Sequence, residues 1–203
     1  MLTRSRATLA FVTTAQAGTL ALAAVGAFSV ILVILHFLKP EFDPSWRMIS
    51  EYEIGRYGWL MRLAFVCWSA SVVGVDVALS PSLSTAAVVA LAIVAIGPLG
   101  AAIFATEPTT RPLDQTGTAH RLHAVFGALF ILGFPIAATL AGQACLTGVP
   151  WIGLIAFLGA TRVYGARGGR RAAPEVLIGW PNRFMVATYV LWIGAVATTR
   201  SGV

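Results

Sequence analysis

The sequence predicts an all-α membrane protein, a bundle of six transmembrane helices that forms a single domain over residues 1–203. Of its residues 58% are apolar and only 11% are charged, whereas soluble domains carry about 25% charged residues. Six apolar stretches approach the roughly 20 residues that a helix needs to cross a bilayer. These stretches are continuous and do not alternate in polarity, which favours helices over barrel strands.

The predicted spans cover residues 18–38, 59–79, 85–105, 119–141, 149–164 and 179–198. The third and fourth carry prolines, at Gly97-Pro98 and at Pro135. Proline within a helix removes one backbone hydrogen bond and bends the helix. Either helix packing or a functional cavity would explain these two positions.

The loops differ sharply in charge. Segments 80–84 and 142–148 are short and uncharged, as expected between antiparallel neighbours. Segments 39–58, 106–118 and 165–178 are longer, charged and open on one side, and we call them the polar rim. Eleven of the fourteen basic residues belong to this side: Lys39, Arg47, Arg56, Arg62, Arg111, Arg121, Arg162, Arg167, Arg170, Arg171 and Arg183. The positive-inside rule therefore predicts an inner-membrane protein with a cytoplasmic rim and both termini outside.

The basic residues do not indicate nucleic-acid binding. Although the pI is about 10.2, these residues lie in short loops between apolar spans, and neither a basic helix nor an aromatic-basic ladder is present. Sequence motifs of the common hydrolases and nucleotide-binding proteins are also absent. The sequence predicts membrane lipids, and further membrane subunits, as partners.

Two histidines open the fourth span. His120 and His123 are three residues apart and share one helix face. Two imidazoles at this spacing can bind a metal, with Glu107, Glu51 or His36 completing the ligand set. Alternatively, they hydrogen-bond the adjacent loop, or they serve as acid, base or ligand-binding groups. No cofactor is predicted, and a metal is the weaker of these hypotheses.

Carboxylates lie on the same rim. Glu51, Glu53 and Glu107 could act as paired carboxylates in acid–base chemistry. The alternative is pairing with arginines at the membrane surface, for which the candidates are Arg56, Arg62, Arg111 and Arg183. Asp76 is the only acid within a predicted span, where a carboxylate is a functional candidate by default. A polar packing role and a proton or ligand role both remain open for it.

Four rim residues are predicted to bind a ligand. Arg170 and Arg171 belong to a basic loop that suits anionic headgroups, at about 1 kcal/mol for each basic residue near the surface. Arg183 could clamp an anion through its planar guanidinium. Tyr52 is the fourth candidate.

Several motifs follow one another along the chain. They are Ser50-Glu51-Tyr52 with Gly55 and Gly58-Trp59, then Phe104-x-x-Glu107-Pro108, Gly117-x-x-His120, and Arg183 before Trp192. Together they resemble the bacterial six-helix membrane family catalogued as domain of unknown function 998, over roughly Leu35 to Trp192. The resemblance implies an architecture and no activity. The family pattern usually has Asp where this chain has Glu107, and the longer side chain puts a strict metal geometry in doubt.

Two functions are compatible with these residues. The first is a non-catalytic membrane component, lipid-associating, regulatory or accessory, that acts through its polar rim. The second is a membrane enzyme for a lipid or isoprenoid headgroup, with His120 or Glu107 in acid–base or metal chemistry and Glu51 as a second carboxylate. Convergence of these side chains on one pocket would favour the enzyme. Pairing of each with an arginine would favour the component.

Overall fold

A computed structural model describes residues 12–143, 146–168 and 176–201, and these residues form helices and no strand. The six α-helices are α1 Thr14–Leu38, α2 Gly58–Leu79, α3 Thr85–Ile103, α4 Thr118–Leu140, α5 Gly148–Gly168 and α6 Gly179–Ser201. Short 3₁₀ helices lie at Ile49–Glu53, Ser80–Ser82 and Leu113–Gln115. The all-α prediction is confirmed. The helices match the predicted spans to within two residues at each end, except that α1 begins four residues earlier, α5 continues to Gly168 and α6 continues to Ser201.

Four helices in the described part of the chain are long and apolar enough to cross a membrane: α1, the segment Gly58–Ser82 that contains α2, α3 and α4. The apolar part of α5, Gly148–Val163, is shorter. In α6, Asn182 and Arg183 near the start and Arg200 near the end interrupt the apolar sequence. The structure therefore supports a membrane protein, and the six-span arrangement stays a prediction.

The helices pack as a closed ring in which chain neighbours are spatial neighbours. Helix α1 packs against α2 and α6, α2 against α3, α3 against α4, and α5 against α6. The packing between α4 and α5 is the loosest of these sequential contacts. The cavity of the bundle lies beside this loose contact between α4 and α5.

Stacked aromatic rings fill the middle of the bundle. The Phe28 ring of α1 stacks on Trp68 of α2, with ring centroids 4.4 Å apart, and Trp68 meets Phe130 of α4 edge-on at 4.5 Å. Phe134, one turn further along α4, stacks on Tyr189 of α6 at 4.7 Å. Offset and edge-on arrangements of this kind are the favourable geometries for aromatic pairs. They join four helices in one core.

Glycines bring α3 and α4 into close contact. A Cβ atom at Gly97 would lie 2.7 Å from Cβ of Phe130 and 2.8 Å from the backbone oxygen of Phe126. One at Gly100 would overlap the ring of Phe126, and one at Gly133 would lie 2.7 Å from a methyl group of Val94. Small residues allow such close approach between membrane helices.

Pro135 leaves one backbone carbonyl of α4 without its helical partner. Proline has no N–H, so the carbonyl of Ile131, four residues earlier, loses its usual donor. The hydroxyl of Tyr189 donates to this carbonyl at 2.6 Å. The Tyr189 side chain of α6 thus satisfies the Ile131 carbonyl, which the proline leaves without a helical donor.

Candidate functional site

The first rim loop is fastened to the start of α6 by Arg183. Its Nε donates to Nε2 of His36 at 2.8 Å, and Nη2 donates to the Tyr52 hydroxyl at 2.9 Å. Its Nη1 donates to three backbone carbonyls, including that of Arg47 at 2.6 Å. The guanidinium therefore joins α1, the first loop and α6. The other nitrogen of His36 donates to the carbonyl of Leu32 at 2.7 Å, so both of its ring nitrogens are engaged.

Lys39 is buried at the end of α1, with only 1% of its surface exposed. Its ammonium group donates to the carbonyls of Tyr52, at 2.9 Å, and of Ile54, and it lies 4.5 Å from the centre of the Phe42 ring. Burial lowers the pKa of Lys39 from its ordinary value. Carbonyl oxygens and an aromatic face thus compensate this cation and hold the first loop against α1.

Glu51 connects the first two rim loops. Its side chain is completely buried and accepts hydrogen bonds from Arg47 Nη1 at 2.6 Å and from the backbone N–H of Met48 at 3.1 Å. It also accepts from the backbone N–H of Thr109 at 2.9 Å, across 58 residues of sequence. All these partners donate hydrogen bonds to the carboxylate, so the contacts describe a structural crosslink between loops.

Glu53 makes an equivalent crosslink two residues further along the chain. Arg62 Nε donates to one carboxylate oxygen at 2.7 Å, and the N–H of Thr106 donates to the other at 3.2 Å. Nδ1 of His123 lies 3.6 Å from that second oxygen. Burial raises the pKa of Glu53, and it outweighs the opposing effect of the hydrogen bonds from Thr106 and Arg62.

Glu107 closes the second loop onto the start of α4. Its carboxylate accepts from Arg111 Nη1 at 2.5 Å and from the N–H of Gly117 at 3.0 Å, and these hydrogen bonds lower its pKa. The backbone N–H of Glu107 donates to Nδ1 of His120 at 2.9 Å. Since Nδ1 of His120 is an acceptor, the neutral ring carries its proton on Nε2.

His123 has the opposite tautomer. Its Nδ1 donates to the carbonyls of Phe104 at 2.8 Å and of Ala101 at 3.1 Å. Nε2 of the neutral ring is then an unprotonated acceptor. Within the described residues, Nε2 of neither His120 nor His123 has a hydrogen-bonding partner.

Both histidines line a cavity of about 1200 Å³ that extends from the rim into the bundle. Polar side chains border it near the rim: Ser50, Thr106, Thr109, Thr110, Arg111, His120, His123 and Asn182. Apolar side chains border it deeper in the bundle: Phe65, Trp68, Phe130, Ile131, Phe157, Met185 and Val186. Small-molecule pockets are usually about 300–1,000 Å³, so this cavity is large and amphipathic.

The cavity also opens sideways, between α4 and α5. Ala124, Ala128 and Leu132 recur every fourth residue on α4, and all three both line the cavity and are exposed. On α5, Leu158 lines the cavity with 43% of its surface exposed. This opening coincides with the loosest helix contact in the ring, at the depth of the apolar part of the helices.

The predicted site residues divide into two groups in the structure. His120 and His123 share the cavity, whereas Glu51 and Glu107 pair with arginines and are not among the described residues that line it. Tyr52 and Arg183 contact each other. Arg170 and Arg171 lie outside the described residues. Ligand binding by Tyr52 and Arg183 stays a prediction.

The metal hypothesis gains no geometric support from the described part of the chain, where no group of three or more His, Cys, Asp or Glu side chains could hold an ion. Asp76, the intramembrane acid, is largely buried near the other end of α2, and its Oδ1 has no hydrogen-bonding partner among the described residues. Its role remains open.

Sequence reasoning missed several residues that shape the site. Arg47 pairs with Glu51, and the spacing of four residues is the sequence signal for this pair. Asn182 accepts from the N–H of Ile49 at 3.1 Å and lines the cavity. Gly127 of α4 faces the cavity with no atom within 4 Å of an added Cβ. Neither of these last two roles has a local sequence signal.

Comparison with known proteins identifies the family of the chain. No functionally curated protein and no solved structure matches the chain. A family model described as protein of unknown function (DUF998) matches residues 22–199. Of the motif residues that carry the resemblance, Ser50 and His120 line the cavity, whereas Glu51, Tyr52, Glu107 and Arg183 hold the rim loops together. The chain belongs to the DUF998 family.

Proposed function

We propose that this protein is a six-span inner-membrane component, without catalytic activity, that binds one amphipathic lipid in the cavity between α4, α5 and α6. The polar headgroup lies beside His120 and His123, and the apolar chain lies along the deeper wall. The charge bias of the loops supports a cytoplasmic rim. Membrane lipids are the ligands, and regulatory or accessory action toward other membrane subunits follows from loading of the cavity.

The sideways opening of the amphipathic cavity is the observation that carries this proposal. A water-soluble ligand would need only the entrance at the rim. The gap between α4 and α5 is bordered by Ala124, Ala128, Leu132 and Leu158, and α4 is long and apolar enough to cross a membrane. A lipid could enter by lateral diffusion and keep its chain in an apolar environment throughout.

The pairing of the rim carboxylates also supports binding in place of catalysis. Glu51, Glu53 and Glu107 each accept from an arginine and from at least one backbone N–H. Their hydrogen-bonding capacity is used to hold the loops together. These hydrogen bonds therefore make the polar rim a fixed framework around the cavity entrance.

A pair of glycine substitutions tests lipid binding. Gly127→Trp places a large side chain in the cavity, whereas Gly159→Trp places the same side chain on an exposed part of α5 that does not line it. At neither glycine would an added Cβ meet an atom within 4 Å. In native mass spectrometry of the full chain released from detergent, we expect one retained lipid in the wild type and in Gly159→Trp. Gly127→Trp should lose most of it. A wild type without lipid, or equal retention in both variants, contradicts the proposal.

A membrane enzyme for a lipid headgroup is the second candidate, and one contact favours it. The Glu53 carboxylate lies 3.6 Å from Nδ1 of His123, and His123 lines the cavity. A carboxylate behind an imidazole is the arrangement of a general base. Turnover of a lipid by the purified protein that disappears in Glu53→Gln, while the lipid remains bound, would favour this alternative.

A further inference from the structure

The two histidines of the cavity differ in what they offer a ligand. His120 accepts at Nδ1 from the N–H of Glu107, at 2.9 Å, and therefore presents Nε2–H as a donor. His123 donates from Nδ1 to the carbonyl of Phe104, at 2.8 Å, and therefore presents Nε2 as an acceptor. Backbone groups thus fix a donor and an acceptor one helical turn apart on the same face of α4.

Among the described residues, the charged group that lines the cavity is already neutralised. Arg111 is the only charged side chain among the described residues that line the cavity, and it is paired with Glu107 at 2.5 Å. The remaining polar lining consists of hydroxyl, amide and imidazole groups, including Ser50, Thr109 and Asn182. An anionic headgroup would find no unpaired cation among these residues.

A hydroxyl group matches this arrangement because it donates and accepts at once. We propose that the cavity selects a neutral lipid whose headgroup is an alcohol, of the diacylglycerol or long-chain alcohol class. The hydroxyl donates to Nε2 of His123 and accepts from Nε2–H of His120. This inference rests on the proposed function and specifies the headgroup chemistry.

Matched ligands test the role of the hydroxyl. Dioleoylglycerol carries a free hydroxyl, its acetyl ester lacks that hydrogen-bond donor, and dioleoylphosphatidic acid replaces the alcohol by an anion. Dissociation constants for the full chain can be measured by native mass spectrometry in one detergent. We expect the wild type to bind the alcohol about tenfold more tightly than the ester, since the ester leaves buried polar groups unpaired. Binding of phosphatidic acid should also be weaker than binding of the alcohol.

Asparagine substitutions keep the structural hydrogen bond that Nδ1 makes in each ring and remove the Nε2 group that meets the ligand. In His120→Asn, the amide oxygen can replace Nδ1 as acceptor for Glu107, but the donor at Nε2 is lost. In His123→Asn, the amide N–H₂ can replace Nδ1 as donor to Phe104, but the acceptor at Nε2 is lost. We expect both variants to fold and to bind alcohol and ester with nearly equal affinity. Thr19→Val is the control, because that hydroxyl donates to the carbonyl of Ala15 on α1 and is not among the described residues that line the cavity.

Two results would overturn the inference while leaving lipid binding intact. One is equal binding of alcohol and ester by the wild type, and the other is tighter binding of phosphatidic acid. Unchanged selectivity in well-folded His120→Asn and His123→Asn would also overturn it. Failure of the proposed function looks different, since no ligand would then bind and Gly127→Trp would retain the same lipid content as Gly159→Trp.

Discussion

The two sides of α4 are packed in opposite ways. Toward α3, Gly97 and Gly100 allow backbone and aromatic atoms to approach so closely that an added Cβ would collide with Phe126 and Phe130. Toward α5, Gly127 faces a cavity, and a Cβ there would meet nothing within 4 Å. One helix therefore contributes both a tight interface and the wall of a cavity.

This difference shows that glycine in a membrane helix has no single meaning. At the α3 interface it removes a side chain so that two helices can touch, which is the usual role of small residues between membrane helices. At Gly127 it enlarges a cavity where no helix approaches. The opposing helix surface determines the role, and the glycine alone does not reveal it.

The largest expected effect comes from disturbing the tight side. Gly97→Ala places a methyl group 2.7 Å from Cβ of Phe130 and 2.8 Å from the carbonyl oxygen of Phe126, so α3 and α4 must separate. Overpacking of this kind costs about 1–3 kcal/mol. Reversible unfolding in mixed detergent micelles would measure the loss of unfolding free energy.

The matched control is Gly127→Ala on the cavity side of α4. Alanine is favoured over glycine within a helix by about 0.5–1 kcal/mol, and no neighbour opposes it here. We therefore expect this variant to be as stable as the wild type or slightly more stable. Similar destabilisation by both substitutions would show that the two sides are not packed differently.

A smaller effect is expected at the link between α6 and α4. Tyr189→Phe removes the hydroxyl that donates to the Ile131 carbonyl, which Pro135 has left without a helical donor. An unsatisfied buried acceptor costs about 1–2 kcal/mol. The same unfolding measurement applies, and the double variant Tyr189→Phe with Pro135→Ala should recover part of the loss. A single variant as stable as the wild type would disprove the role of this bond.

The helices were predictable because their signal is local. Long apolar runs determine where a chain can cross hydrocarbon, and the tight, uncharged segment 80–84 indicates adjacent antiparallel helices. The shared face of His120 and His123 followed equally from their spacing. Each of these predictions needs only the residues in one stretch of sequence.

The architecture of the rim was not predictable for the opposite reason. The Glu51 carboxylate accepts a hydrogen bond from the backbone N–H of Thr109, 58 residues away in sequence. The Asn182 side chain accepts one from the backbone N–H of Ile49, 133 residues away. Lys39 is completely buried against carbonyls, although a lysine at the end of a membrane helix is expected to extend toward water. Such contacts depend on how the loops pack over the bundle.

The smallest expected effect concerns the loop that connects the two tightly packed helices. Hydrogen bonds from Arg111 and Gly117 lower the pKa of Glu107 below its ordinary value of 4.5. A lowered pKa in the folded state means that this contribution to stability is present above about pH 4.5 and is lost as the pH falls through the folded pKa. The contribution is modest because Arg111 is half exposed and its ion pair is screened by solvent.

We expect acidification below pH 4.5 to reduce the hydrogen-exchange protection of residues 106–118 in the wild type. The decrease should be smaller in Glu107→Gln, whose side chain does not titrate. An identical pH dependence in the two proteins would show that Glu107 does not hold this loop.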